Sequence, residues 1–372
     1  MKIAPFATEH FYAEYEFNTP YQLCNSDCET MTVGELLETA DLSLTQLGQL
    51  SLGYTESQGN PHLREMIADA YTAAEPEDVL ILGTPVEGIY LAAQALLEPQ
   101  DEVIVLTPAY DALINLFEHV AGAERVKKWT FRPTAVSWQL DLDELRHLIT
   151  PQTKLLVVNF PHNPTGYLPT REMLDEITAV VEQHKLWLFC DEMYYGLIHS
   201  GTVPIPSTAD LTPQAIVLSG LSKTYGLPGL RTGWLIVRDE PMRQNILNWK
   251  FYTSICPPAP SEFLAVAAWR IRDQLRDRSI AQIEHNLALA DAFFGRWSDL
   301  FVWRRPLAGS TALVQMNVPS VHDYATKLAR EAGVLIHPAT TLGANDQMMR
   351  MGFGRAAFGE ALIKFEAHLQ QA

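Results

Sequence analysis

Through the middle of the chain, short apolar runs alternate with amphipathic stretches. The runs are VLILG (79 to 83), EVIVLTP (102 to 108), KLLVVNFP (154 to 161), LWLFCDE (186 to 192), AIVLSG (215 to 220) and GWLIVRD (233 to 239). Runs this short and apolar on both faces read as strands of a parallel sheet covered by helices. Between them, residues 85 to 97 and 171 to 184 repeat their apolar positions at helical spacing and are long enough for crossovers. From residue 256 the pattern changes. PPAPSEF breaks the chain and starts a helix, helical periodicity continues from 262 to about 295, and LFVWRRP, TALVQMN, GVLIHPA and MMRMGFG read as strands of a second unit. The first 36 residues hold no strong strand, and the aromatic segment FATEHFYAEYEF is expected to pack on that second unit. The expectation is an α/β protein: an N-terminal segment (1 to 36), a large domain with a mostly parallel sheet flanked by helices (37 to 255), and a smaller α+β domain (256 to 372). A chain of 372 residues exceeds what one core usually holds, and two domains provide a cleft.

Charge narrows the partners. With 27 Lys and Arg against 44 Asp and Glu, the formal net charge of −17 repels nucleic acid and anionic membranes, so any anionic ligand must be held by local groups. No basic stretch leads into an apolar run at the N-terminus and no span approaches roughly 18 uninterrupted apolar residues, which makes a cytoplasmic location the expectation. Cys24, Cys28, Cys190 and Cys256 are too few and scattered for a disulfide framework. Cys24 and Cys28 lack a second Cys/His pair at ligand spacing, so no metal site is expected.

The chemistry concentrates at the ends of the apolar runs. Ser219-Gly-Leu-Ser-Lys-Thr-Tyr-Gly-Leu-Pro-Gly-Leu-Arg231 places one lysine, Lys223, among small residues, with Ser222 and Arg231 suited to a phosphate. A lysine beside an arginine has its pKa depressed toward the neutral amine that nucleophilic chemistry needs. Asp191 ends an apolar strand, where a buried carboxylate needs a partner. Gly83-Thr84-Pro85-Val86-Glu87 spells a capping box that opens a helix directly after a strand, and a helix N-terminus is an anion cradle.

Taken together, these segments resemble the class I/II aminotransferases of the aspartate aminotransferase superfamily, fold type I. Lys223 and Arg231 stand at the spacing of that family's Schiff-base lysine and phosphate-binding arginine, although Gly220 replaces the first serine of its S-x-S-K pattern. Asn159-Phe-Pro-His-Asn163-Pro-Thr-Gly166 is similar to N-P-x-N-P-T-G, and Asp191 with Tyr194 is similar to D-x-x-Y. The resemblance implies pyridoxal 5′-phosphate (PLP) bound to Lys223. Asp191 would hold the pyridine nitrogen and Asn163 and Tyr194 the phenolic oxygen. Gly83, Thr84, Ser219, Ser222 and Arg231 would surround the phosphate, and Tyr110 would stack on the ring. Tyr54, in a Y-x-x-x-x-G-x-x-x-L-R element, would reach the phosphate of a neighbouring subunit, implying a homodimer. Arg350 matches the arginine that binds the substrate α-carboxylate, with Asn163 beside it and Arg355 the competing candidate.

The implied activity is transfer of an amino group from an amino acid to a 2-oxo acid, with catalysis by Lys223, Asp191 and Tyr194. A lyase or an amino-acid cyclase on the same scaffold is the alternative, because TYGLPGLRTGW and YTSICPPAPSEF resemble a branch that includes cyclising enzymes such as capreomycidine synthase. A non-catalytic regulator is disfavoured: no DNA-binding module precedes residue 37, and the acidic balance is wrong for one. Side-chain selectivity is expected from Asn25 to Cys28, Tyr252 to Ile255 and Tyr110, with Asp27 and Glu29 favouring a basic amino acid.

Overall fold

The structure is a computed structural model that describes residues 3–371. All six apolar runs are strands, and together with a further one they form a seven-stranded sheet. In chain order these are β1 (Val79–Leu82), β2 (Glu102–Thr107), β3 (Val126–Thr130), β4 (Thr153–Asn159), β5 (Trp187–Asp191), β6 (Ala215–Gly220) and β7 (Gly233–Val237). The spatial order is β1-β7-β6-β5-β4-β2-β3. Every pair is parallel except the two that β7 makes. β7 runs antiparallel because residues 221 to 232 return to the sheet without a crossover helix. The extra strand, β3, is an edge: Lys127 and Lys128 interrupt its apolar residues, which protects an open edge from foreign pairing.

Side chains alternate across the sheet. Leu80, Val105, Val157, Phe189 and Leu218 face one core, while Ile81, Ile104, Val158, Cys190 and Val217 face the other. Helices Pro85–Leu96 and Arg171–His184 occur where the periodicity places them. The long helical stretch is two helices, Ala259–Arg270 and Arg272–Arg296, which meet at Ile271.

The first helix after residue 256 packs on the large domain. Leu264, Ala268, Trp269 and Ile271 of the first of these helices belong to the large domain's core, beside Ile81 and Trp234. The Pro257-Pro258 breaker therefore opens a helix without ending the domain. Beyond it, β8 (Phe301–Val302), β9 (Thr311–Met316), β10 (His337–Pro338) and β11 (Met348–Gly352) form an antiparallel sheet in the order β8-β9-β11-β10.

The N-terminal segment reaches both units rather than the small one alone. In helix α1 (Ala7–Tyr15), Phe11 packs with Leu335 and against the ring of His337. On the large-domain side, the Thr8 backbone N–H donates to Asp111 (3.0 Å) and Tyr110 OH donates to Glu9 (3.0 Å). Among the described residues no helix is long and apolar enough to cross a membrane, and no cluster of three or more metal-ligating side chains occurs.

Candidate active site

The C-terminal ends of the parallel strands open on a cavity of about 400 Å³, the usual ligand position in open α/β sheets. Into it the fold brings Lys223, Asp191, Tyr194, Asn163, Ser222, Arg231, Tyr110 and Arg350. Their sequence separation is large, and three kinds of element bring them together: strand ends (Asp191), the loops after strands (Tyr110, Asn163, Ser222, Lys223, Arg231) and a strand of the small domain (Arg350).

Asp191 is the last residue of β5 and 7% exposed. One carboxylate oxygen accepts the Met193 N–H (3.0 Å), and no ion pair forms with it among the described residues. Burial pushes its pKa up to about 6, against the pull of that N–H and of Lys223. The neighbouring strand end is tied to it, because the Asn159 amide donates to the Asp191 carbonyl (2.6 Å) while its oxygen accepts the Asn163 N–H (2.7 Å). Asn159 is thus the clamp that fixes the Asn163 turn.

Lys223 follows β6 and donates to the Ser26 hydroxyl (2.8 Å). Burial lowers its pKa, Asp27 opposes that shift, and Arg350 adds to it. Gly226, three residues on at φ +66°, lets this loop touch the N-terminal segment: a Cβ there would lie 2.3 Å from the Glu29 carbonyl. At Gly352 a Cβ would meet the Asn25 carbonyl at 1.6 Å. These two glycines lay residues 25 to 29 against both domains and so carry Asn25, Ser26 and Asp27 into the cavity.

Arg350 sits mid-strand in β11, where Met349 and Met351 fill the small-domain core and the intervening side chain faces the opposite way. It is 1% exposed, donates to Tyr12 OH (2.5 Å), to the Cys24 carbonyl (3.1 Å) and to Asn163 Oδ1 (3.3 Å), and leaves its Nε without a partner. No carboxylate pairs with it among the described residues. Arg355, the competing candidate, lies outside the cavity and is bound to Asp27 (3.2 and 2.7 Å) and to Glu29 (3.6 Å).

Three expected residues stand elsewhere. The Ser219 hydroxyl donates to the Glu192 carbonyl (3.4 Å), because its strand position faces the core opposite to that of Leu218, which does line the cavity. Gly83 and Thr84 line an adjoining recess with Phe6 and Tyr90, and the cavity takes Pro85 and Val86 instead. Nor does the expected capping box form. Thr84 Oγ1 accepts from Arg231 (2.6 Å) instead of the N3 amide, and Glu87 reaches back to the Gly83 N–H (3.0 Å) while accepting the Thr253 hydroxyl (2.5 Å). Arg231 is held there in a left-handed conformation at φ 54°. Tyr54, expected to serve a neighbouring subunit, is 91% exposed and away from the cavity of its own chain.

Of the expected selectivity residues, Asn25 to Asp27 and Tyr110 are in the cavity. Cys28 is in the core, Glu29 turns to Arg355, and Tyr252 to Ile255 lie outside. The residues that sequence reading did not single out are Thr8, Glu9, Tyr12 and Glu16 of the N-terminal segment, with Asn159 and Val86. A signal for the first group exists: Thr8, Tyr12 and Glu16 fall at i, i+4 and i+8, one helical face.

Comparison with known proteins gives this cavity its family. A family model described as aminotransferase class I and II matches residues 20–361. Capreomycidine synthase from Streptomyces vinaceus is 30% identical over 348 residues, 93% of this chain and 88% of the relative. A probable aspartate aminotransferase from Methanocaldococcus jannaschii is 25% identical over 353 residues, 87% of this chain and 88% of the relative. Among solved structures, a PLP-dependent aminotransferase from Streptococcus suis superposes with a TM-score of 0.92 at 26% identity, covering 100% of this chain and 99% of that one. The PLP-dependent cyclase OrfR superposes with a TM-score of 0.89 at 26% identity, covering 100% and 98%.

The residues present fit that cofactor. Within one cavity lie a buried carboxylate (Asp191) without an ion pair and two buried hydroxyls (Tyr194 and Ser222) without hydrogen-bond partners among the described residues, together with an arginine at a helix N-terminus (Arg231). A flat pyridine with a ring nitrogen, a phenolic oxygen and a phosphate complements each of them. The chain belongs to the class I and II aminotransferases, enzymes that work with pyridoxal 5′-phosphate.

Proposed function

We propose that the protein moves an amino group from an amino acid to a 2-oxo acid, working as a cytoplasmic homodimer in which Tyr54 serves the neighbouring subunit. The observation that carries this reading is Arg350: a guanidinium 1% exposed, unpaired with any carboxylate among the described residues, lining the same cavity as Lys223. A buried cation of this kind calls for an anion, and the α-carboxylate of an amino acid supplies one in the planar form that a guanidinium grips with two bonds.

In this reading Arg231, the Val86 N–H at the helix N-terminus and the Ser222 hydroxyl hold the cofactor's phosphate. Asp191 meets the pyridine nitrogen, Asn163 and Tyr194 meet the phenolic oxygen, and Tyr110 covers the ring. Bound here, PLP supplies an electron sink next to the substrate's Cα. Lys223 would hold the cofactor, and its free amine would move the proton at the substrate's Cα. Its lowered pKa suits a group that must act as a neutral base near pH 7. Arg350 and Asn163 fix the carboxylate, which orients the Cα–H bond toward Lys223.

The kinship with capreomycidine synthase and with a PLP-dependent cyclase favours a second reading, in which the same proton removal leads to ring closure. One experiment separates the two. Each amino acid is incubated with the purified enzyme, with and without a 2-oxo acid such as pyruvate, and the new amino and oxo acids are quantified. Multiple turnovers only when the acceptor is present support amino transfer. Turnover without an acceptor, giving ammonia or a cyclic product, refutes it and supports the second reading.

A further inference from the structure

The cavity's character as a ligand site rests on groups already described, including the Tyr194 hydroxyl (3% exposed) and Arg350 Nε, both buried and without partners among the described residues. Three carboxylates of the N-terminal segment, Glu9, Glu16 and Asp27, line the same space and decide what kind of ligand suits it. Their partners differ. Asp27 is neutralised by Arg355 through both oxygens (3.2 and 2.7 Å). Glu9 accepts only the neutral Tyr110 hydroxyl (3.0 Å). The Glu16 carboxylate makes no hydrogen bond or ion pair among the described residues. Burial raises its pKa, and Asp27 and Glu9 raise it further against the smaller pull of Arg355 and Lys223.

The cations that line the cavity are Lys223, Arg231 and Arg350. Arg231 is bonded to Thr84 at the helix N-terminus, and Arg350 is fixed by Tyr12, Cys24 and Asn163. Among these lining cations, Lys223 is the one whose field reaches Glu9, Glu16 and Asp27; from outside the cavity Arg355 also acts on Glu16, but its guanidinium is already bound to Asp27 and Glu29. The working states of Lys223, bonded to the cofactor or acting as a neutral base, do not supply Glu9 and Glu16 with a permanent counter-charge. Glu9 is exposed and Glu16 half-buried, so water serves them while the cavity is open, and a ligand that covers this rim offsets their desolvation best by bringing a cation of its own.

We propose that Glu9 and Glu16 select an amino acid whose side chain ends in a cation, a guanidinium or an ammonium, over a neutral chain of similar length. The proposal rests on the reading of the cavity as a PLP and amino-acid site, and it holds whether amino transfer or ring closure follows. Arg350 takes the α-carboxylate, and the distal cation meets Glu9 and Glu16 on the helix that covers the site. The negative rim also disfavours aspartate and glutamate, whose second carboxylate would meet like charge.

The test is a titration of the PLP-loaded enzyme with arginine, ornithine, lysine, norleucine and glutamate. The response of the cofactor's visible band gives an apparent Kd for each, and kcat/KM follows with pyruvate as acceptor. The expected result is at least about tenfold tighter binding of a cationic amino acid than of norleucine. That ratio should shrink in Glu16→Gln and in Glu9→Gln, with the loss in KM rather than kcat. Comparison of Glu16→Gln with Glu16→Asp, which keeps the charge, reports charge rather than altered packing: the aspartate variant should retain part of the ratio. A wild-type enzyme that binds norleucine or glutamate as well as arginine overturns the proposal and leaves the PLP reading intact. A visible band that responds to none of the amino acids overturns both.

Discussion

Among the described residues two lysines have a pKa lowered by burial, Lys223 and Lys250, and their surroundings differ. Lys250 is 0% exposed and sits behind the helix N-terminus, where its ammonium donates to the Ile255 carbonyl (3.3 Å) in the field of Glu87 and Glu262. Lys223 lines a cavity with a buried carboxylate, orphaned hydroxyls and a buried arginine. Burial lowers both pKa values. A depressed lysine is therefore not diagnostic in itself. What separates a reactive amine from a structural one is access to a space whose other polar groups also lack partners.

The largest effect expected from this contrast comes from exchanging the lysines themselves. Lys223→Ala should lower turnover by roughly 10²–10⁴-fold, as for loss of a positioned base. Lys250→Met should change the melting temperature while keeping turnover within about tenfold of wild type, the range left for an indirect effect on binding. Steady-state rates and thermal melts on both variants check this.

Asp191 gives a next, two-signed test. Its folded pKa of about 6 lies above the ordinary value of 3.8, so the cofactor-free protein loses stability as pH rises through that window and bears the full penalty above it. Asp191→Asn should therefore raise the stability of the cofactor-free protein at pH 8 by up to about 3 kcal/mol, and by almost nothing at pH 3, below the unfolded pKa. The same substitution should lower kcat of the loaded enzyme by on the order of 10²-fold. A carboxylate that was merely structural would not move these two measurements in opposite directions. Smaller again, Arg350→Lys should raise KM for every amino acid roughly tenfold, through loss of a bidentate charge-assisted pair. An unchanged KM would remove the α-carboxylate from Arg350.

How legible this was in the sequence follows from what each residue depends on. β1, β2 and β4 to β7 could be read because strands covered on both faces are continuous apolar runs. β3 could not, since Lys127 and Lys128 belong to an exposed edge. Lys223, Asp191, Asn163 and Arg350 were visible because their neighbours along the chain form recognisable segments. The Tyr12–Arg350 bond, spanning 338 positions, has no local signature, and Glu16 shows only the helical spacing it shares with Thr8 and Tyr12, which marks a face without saying what that face covers. Ser219 shows the limit at single-residue scale: it lies one position from Gly220, and in a strand one position reverses the face.

The most direct test of the central claim is to reduce the PLP-loaded protein with borohydride, digest it and map the phosphopyridoxyl group by mass spectrometry. The account predicts the label on the peptide containing Lys223 and none on the peptide containing Lys250. Label on Lys250, or no covalent label at all, would contradict it.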